Sequence, residues 1–185
     1  MSQETTILSE HVLDRYKNEL LLKAKWTHDS FIEGYKKWEE SAENRDVKAE
    51  AVIRNFVAGI TNAMSIVRIL NVAGARNKNY ARQRVAAIQS KWPDLPDAPQ
   101  GLKEIRDALE HFEERLDTWA FTSSTHSIVD MNLGMSAEGL SSFGVGETEL
   151  LRNIDGNNVF LFWNHEVKLD EVMNWVIELA EELQK

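Results

Sequence analysis

The chain has 185 residues, which is enough for one domain with a substantial hydrophobic core. It contains no cysteine, and this excludes disulfides, thiolate metal sites and cysteine nucleophiles. The formal net charge is −9, but residues 1–92 carry 15 Lys and Arg against 11 Asp and Glu, whereas residues 93–185 carry 6 against 19. The excess negative charge therefore lies in the second half of the chain.

A basic stretch covers residues 51–92, which contain seven basic side chains and no acidic one. Local charge of this kind matters more for binding phosphates than the net charge of the whole chain does. The stretch fits a solvated helix face, a docking surface for an acidic partner or a phosphate-binding surface. The sequence leaves these three interpretations open. The seven residues are Arg54, Arg68, Arg76, Lys78, Arg82, Arg84 and Lys91.

Apolar residues recur at helical spacing in three stretches of the first half of the chain. They predict helices over residues 8–41, 47–72 and 78–91, and the second helix is expected to end near Gly74. All three prolines lie in the segment WPDLPDAPQG, residues 92–101, which therefore predicts a loop.

A fourth, continuous helix is predicted over residues 101–120, because its apolar positions recur in steps of three and four. At about 100° per residue, Arg106 lies about 90° from the centre of this apolar stripe, on its flank. His111 lies about 130° from the centre, on the polar face. The stripe consists of Leu102, Ile105, Leu109, Phe112, Leu116 and Trp119.

The character of the sequence changes after the fourth helix. Residues 122–147 are small and polar and include four of the nine glycines, which predicts a mobile or irregular loop. Residues 149–169 predict a β-hairpin that turns at Asp155-Gly156 and has a strand over Val159–Trp163. Asp170 is predicted as the N-cap of a last helix that ends near residue 183.

These elements predict a mainly α fold in a single domain, with a helical bundle in residues 1–120. The loop, the hairpin and the last helix, in residues 121–185, are expected to pack on that bundle. The N-terminus has no basic region followed by an apolar one, and polar residues interrupt the longest apolar helical segment. We therefore expect a cytoplasmic protein without a signal peptide or a membrane span. Because none of the five histidines stands four residues from another, we expect no metal and no cofactor.

Arg106 and His111 in the segment IRDALEHFEERLD raise the question of a catalytic pair. A histidine can transfer protons at neutral pH, and an arginine can stabilise charge on a phosphate. However, His111 lies on the polar face among Asp107, Glu114 and Arg115, which are its neighbours at helical spacing. Spacing alone therefore favours a solvated histidine among charged side chains.

The run RDALEH resembles the R-x4–6-H motif of the HEPN superfamily (higher eukaryotes and prokaryotes nucleotide-binding), in which a polar residue, here Asp107, follows the arginine. The run EHFEERLDTWA and the segment RNIDGNNVFLFWNHEVKL also resemble uncharacterised bacterial HEPN-like proteins. The resemblance covers residues 8–120. It implies a HEPN-like up-and-down bundle of four to five helices with the motif on a late helix; the small C-terminal β-hairpin and the final helix are additions to that core.

The resemblance implies a metal-independent endoribonuclease that acts on RNA, as a toxin or an antiphage-defence component. Arg106, His111 and Asp107 would be the catalytic residues, with His111 moving a proton and Arg106 stabilising charge on phosphorus. The implied partners are a second copy in a homodimer, with the two-fold axis near the fourth helix, and an antitoxin or other protein; neither DNA nor a membrane is expected. Because the motif helix is acid-rich, the alternative is a non-catalytic HEPN-like helical module that assembles with a partner protein.

Overall fold

The computed structural model describes residues 8–43, 48–146 and 149–185. These residues form a mainly helical fold with one small sheet of four short strands. None of the described helices combines the length and the apolarity that a membrane crossing requires. The elements are α1 (Glu10–Glu43), α2 (Ala49–Leu70), α3 (Lys78–Lys91), α4 (Leu102–Glu110), α5 (Phe112–Thr122), β1 (Leu133–Gly134), α6 (Ala137–Ser141), β2 (Asn153–Asp155), β3 (Val159–Phe162), β4 (His165–Lys168) and α7 (Leu169–Gln184).

The two longest helices, α1 and α2, form the most extensive contact of the fold. They run antiparallel, because Gly34 of α1 lies against Phe56 whereas Thr27, earlier in α1, donates a hydrogen bond to the carbonyl of Gly59. The helices approach closely at Gly59, where a Cβ atom would lie 2.3 Å from the ring of Phe31. The predicted helices over residues 8–41 and 47–72 are present with shifted ends, and residue 47 lies outside the described part of the chain. The predicted helix over residues 78–91 is confirmed with the same ends.

The last helix, α7, packs against α1 and also holds the proline-containing loop. The Tyr35 hydroxyl of α1 donates a hydrogen bond of 2.6 Å to Asp170, and burial together with this carboxylate raises the pKa of Tyr35. Trp175 donates from its indole nitrogen to the carbonyl of Pro96 at 3.1 Å. The prediction of Asp170 as an N-cap is wrong: α7 begins at Leu169, and Asp170 serves in its first turn as an acceptor for Tyr35.

The four strands form one sheet in the order β1-β2-β3-β4, with β1 parallel to β2 and the other pairs antiparallel. The predicted hairpin is the β2–β3 pair. Its three-residue turn is held by Asp155, whose Oδ1 accepts from the backbone N–H groups of Asn157 and Val159, both at 2.8 Å. Sequence analysis did not assign β4, because HEVK is short and polar on one side.

The predicted fourth helix, residues 101–120, is two helices in the structure. Helix α4 ends at Glu110 and α5 begins at Phe112, because the backbone of His111 leaves the helical region with φ −108° and ψ 34°. Leu102 is fully buried in α4, whereas α5 contains no buried residue. The apolar spacing continues across the break, since that pattern records which side chains face inward and not whether every residue between them is helical.

The segment 122–147 is more ordered than the sequence predicted. Its Val129 forms a bridge with Leu150, and both β1 and α6 lie within the segment. The Ser136 hydroxyl caps α6 by accepting a hydrogen bond from the Gly139 N–H at 3.1 Å. Residue 147, the last of this predicted loop, lies outside the described residues.

Gly101 joins the helical bundle to the sheet, and its substitution provides a test of the fold. Its φ is +86°, and a Cβ atom there would lie 1.9 Å from the carbonyl oxygen of Glu166 in β4. We expect Gly101→Ala to lower the free energy of unfolding by about 2–4 kcal/mol, since a strained φ and a backbone clash add. Urea denaturation measures this loss.

Gly144→Ala is the matched control, because Gly144 has a similar φ of +82° but nothing within 4 Å of the added Cβ. Its loss should be about 1–2 kcal/mol from the backbone conformation alone. Equal losses in the two variants would contradict the close contact between α4 and β4.

Candidate functional site

Arg106 is a buried member of an ion cluster on α4. Its side chain is only 10% exposed, and its Nη2 donates to Oε2 of Glu110 at 2.8 Å. Its Nη1 lies 3.4 Å from Oδ1 of Asp107, and Arg68 of α2 pairs with the other oxygen of Glu110. The Arg106 guanidinium is thus occupied by two carboxylates, and one of them also connects α4 to α2.

The connection between α2 and α3 explains why Arg106 is buried although it lies on the flank of the apolar stripe. At Gly74 in this connection, a Cβ atom would lie 3.3 Å from Nη2 of Arg106. The chain therefore passes directly over the guanidinium. The Nε atom of Arg106 is enclosed without a hydrogen-bond partner among the described residues.

His111 lies at the junction of α4 and α5 and points away from this cluster. Its side chain is 60% exposed, and its Nδ1 lies 3.3 Å from a carboxylate oxygen of Glu114. In the described part of the chain, no hydrogen bond joins His111 to Arg106. Of the three residues predicted from the motif, the structure brings Arg106 and Asp107 together and gives His111 a different partner.

A second candidate site is a cavity of about 650 Å³ between α5 and the sheet. Its walls are α5, the segment that follows α5, the loop before β2 and the turn between β3 and β4. The volume lies within the range of small-molecule sites in proteins. Side chains that line it include Arg115, Thr118, Trp119, Glu149, Trp163 and Asn164.

Glu149 is a buried carboxylate in the wall of this cavity. One oxygen accepts hydrogen bonds from the hydroxyls of Thr125 and Ser123, and the other accepts from the Gly146 N–H at 3.0 Å. These hydrogen bonds, that from Thr125 first, hold the pKa of Glu149 below its usual range. The ionised carboxylate therefore ties the segment after α5 to the loop before β2.

The turn between β3 and β4 contributes a strained tryptophan to the cavity wall. Phe162 pairs with His165, so the turn contains only Trp163 and Asn164. Trp163 has φ +52° and is 4% exposed, at the first turn position, where glycine is the usual residue when φ is positive. The indole N–H groups of Trp163 and Trp119 are both enclosed without a partner among the described residues.

His165, the first residue of β4, is affected by the same region. Burial lowers the pKa of His165, and the charge of Arg115 lowers it further. Glu104 and Asp107 of α4 act in the opposite direction and raise the pKa of His165. The cavity was not evident from the sequence, because its residues come from three separate segments of the chain. One available signal was the spacing of Arg115, Thr118, Trp119 and Thr122, which share one face of a helix.

No family model, curated protein or solved structure matches this chain. Within the described ranges, no group of three or more His, Asp or Glu side chains is placed to hold a metal ion. The two candidate sites are therefore defined by their geometry and chemistry.

The burial of Arg106 leads to a stability prediction. Arg106→Ala should lower the free energy of unfolding by about 2–4 kcal/mol, because Glu110 and Asp107 lose a buried partner. His111→Ala is the control and should change it by less than about 0.5 kcal/mol, since the imidazole is mostly exposed. Chemical denaturation of both variants measures these changes. An unchanged free energy of unfolding in Arg106→Ala would show that the ion cluster does not support the fold.

Proposed function

We propose that this protein is a non-catalytic helical module that binds a partner protein through the outer face of α5. The observation that carries the proposal is Phe121, which is 90% exposed at the end of that face. Glu114 and Asp117 precede it by seven and four residues, so the three side chains lie along one side of the helix. An acidic strip that ends in an exposed aromatic side chain is suited to a partner with basic and apolar groups.

The state of Arg106 supports a non-catalytic role. A phosphate could reach this guanidinium only by displacing Glu110 and Asp107, which already bind it. The side chain is also covered by the connection at Gly74. The acidic residues of α4 and α5 add a field that repels phosphates.

A second copy of this chain offers a matching surface on α3. Three basic residues near the start of α3, Arg76, Lys78 and Arg82, are exposed, and Tyr80 between them is 70% exposed. The acidic strip and Phe121 of one copy would meet opposite charges and an aromatic ring on the other.

Other basic residues of this stretch are used within the fold. Arg68 pairs with Glu110, and Lys91 pairs with Glu10 on α1. Arg84 donates hydrogen bonds to three backbone carbonyls at the end of α2. The structure thereby distinguishes basic side chains with internal roles from the exposed group around Tyr80.

Charge also favours one arrangement of the two copies. A two-fold axis near the predicted fourth helix, as the HEPN resemblance implies, would bring Glu114 and Asp117 of α5 close to their own copies and cost free energy by repulsion. Contact between α5 of one copy and α3 of the next pairs opposite charges instead. A head-to-tail contact of this kind forms a closed ring if the rotation from copy to copy brings the last copy back to the first.

Sedimentation velocity at tens of micromolar tests the assembly. We expect association at about 50 mM salt that weakens at about 500 mM salt, because screening reduces the attraction between α5 and α3. Phe121→Ser and Lys78→Glu should each reduce association. A monomeric wild type at both salt concentrations would exclude a second copy as the partner.

Phe143→Ser is the matched control, since Phe143 is 74% exposed but belongs to neither α5 nor α3. This variant should associate like the wild type. If it loses association as Phe121→Ser does, the contact is a general apolar attraction and not the α5–α3 pairing.

Metal-independent ribonuclease activity is the second candidate function, and the exposed His111 with its Glu114 neighbour favours it. A histidine beside a carboxylate can serve as a general acid or base. The protein should then cleave single-stranded RNA in the presence of EDTA and leave a 2′,3′-cyclic phosphate, as the HEPN resemblance implies. His111→Ala should lower the rate by about 10²-fold or more.

His111→Ala is the informative variant here, because Arg106→Ala is expected to perturb the fold as well as any chemistry. Equal cleavage by the wild type and His111→Ala, or no cleavage by either, would contradict the ribonuclease function. The binding module would then remain as the better account of the motif.

A further inference from the structure

We propose that the cavity between α5 and the β3–β4 turn binds a small aromatic anion, a ring compound that carries a carboxylate or a phosphate. This site lies beyond the proposed assembly, because α5 uses two different faces. Arg115, Thr118, Trp119 and Thr122 line the cavity from one face. Phe121 lies on the adjoining outer side of the helix, about 110° from the centre of the cavity face.

The anionic part of the ligand follows from Arg115. Whereas Arg68, Arg106 and Arg152 pair with carboxylates, Arg115 has no carboxylate within ion-pair distance in the described part of the chain. Its side chain lines the cavity, so the guanidinium is available to a ligand there. A guanidinium in a concave site prefers a planar carboxylate or a phosphate, which it can bind through two hydrogen bonds.

Glu149, the carboxylate in the same wall, binds donors of the protein and does not pair with Arg115. Both of its oxygens are taken up by donors of the protein, namely the hydroxyls of Ser123 and Thr125 and the N–H of Gly146. Glu149 therefore holds the wall together. Among the remaining polar groups of the lining, the Asn164 amide can donate to an anion, whereas the Thr118 hydroxyl donates to the Glu114 carbonyl at 2.8 Å.

The aromatic part of the ligand follows from the two indoles. Trp119 and Trp163 both line the cavity. The partly exposed Trp119 supplies flat apolar surface against which a ring can pack, whereas Trp163 is 4% exposed and forms part of the wall. Trp163 occupies a turn position where glycine would avoid the strain of φ +52°. Backbone strain of this kind clusters at ligand sites, where the side chain it positions is needed.

The unpartnered N–H groups of Trp119 and Trp163 supply the means to detect the ligand. Both N–H groups are enclosed, and both indoles line the cavity. An aromatic ring bound against these indoles shifts their N–H signals without having to touch the N–H groups. Ligand binding should therefore change the environment of these two indoles.

Heteronuclear NMR of the six indole N–H groups, with benzoate and phenyl phosphate as probes, tests the site on the full chain. We expect saturable shifts of the Trp119 and Trp163 signals, assigned through Trp→Phe variants, and unchanged signals from the other four. Benzyl alcohol and inorganic phosphate, which supply the ring or the anion alone, should bind roughly tenfold or more weakly than phenyl phosphate. No saturable shift up to on the order of 10 mM of either aromatic anion would overturn the proposal.

Arg115→Gln should weaken phenyl phosphate binding by roughly tenfold or more, whereas Arg115→Lys keeps the charge and should lose less. Arg54→Gln is the matched control, because Arg54 is exposed on α2 and does not line the cavity. Equal binding by wild type, Arg115→Gln and Arg54→Gln would overturn the role of the guanidinium. Equal affinity for phenyl phosphate and inorganic phosphate would show that the site binds anions in general. That result would overturn the aromatic part of the proposal.

Discussion

The shared carboxylate of Glu110 is the constraint on which both candidate sites depend. It binds Arg68 of α2 and Arg106 of α4, and so it fixes the end of α4 against the long helices. At the other end of α4, the close contact of Gly101 with Glu166 fixes the helix to the sheet. With α4 held at both ends, the helix breaks at His111, and none of the side chains of α5 is fully buried.

The partial burial of α5 leaves two of its sides open to a ligand or a partner. Phe112 and Trp119 pack against the core but are only partly buried, whereas Leu102 of α4 is fully buried. Because α5 has no buried residue, one side faces the cavity and another faces solvent. The Arg106 cluster therefore has a structural role, because it holds α4, from whose end α5 continues. Of the two residues that suggest a catalytic motif, Arg106 supports the fold and His111 lies exposed at the junction of the two helices.

Periodicity predicted the helices well where burial is continuous, as in α1, α2 and α7, because apolar spacing reports directly on contact with the core. It could not predict the break at His111, since an apolar stripe keeps its phase when a single residue leaves the helix. It also could not reveal that Arg106 is buried, because the chain that covers it at Gly74 is more than thirty residues away in sequence. The cavity could not be predicted for a related reason. Glu149 and Trp163 come next to α5 only through the folding of the loop and the sheet, and the residues around them in sequence show no spacing that indicates a site.

The three hydrogen bonds from Arg84 to the end of α2 have a consequence for how the molecule opens. Only Ala81 and Ile88 are buried within α3, so much of the attachment of this helix depends on one guanidinium. Helix α3 is therefore expected to behave as a separate cooperative unit, whose amides exchange through local unfolding while the α1–α2 pair remains closed. The exposed basic residues of α3 would detach together with the helix. The local stability of α3 therefore determines whether these charges are held on the surface of the folded protein.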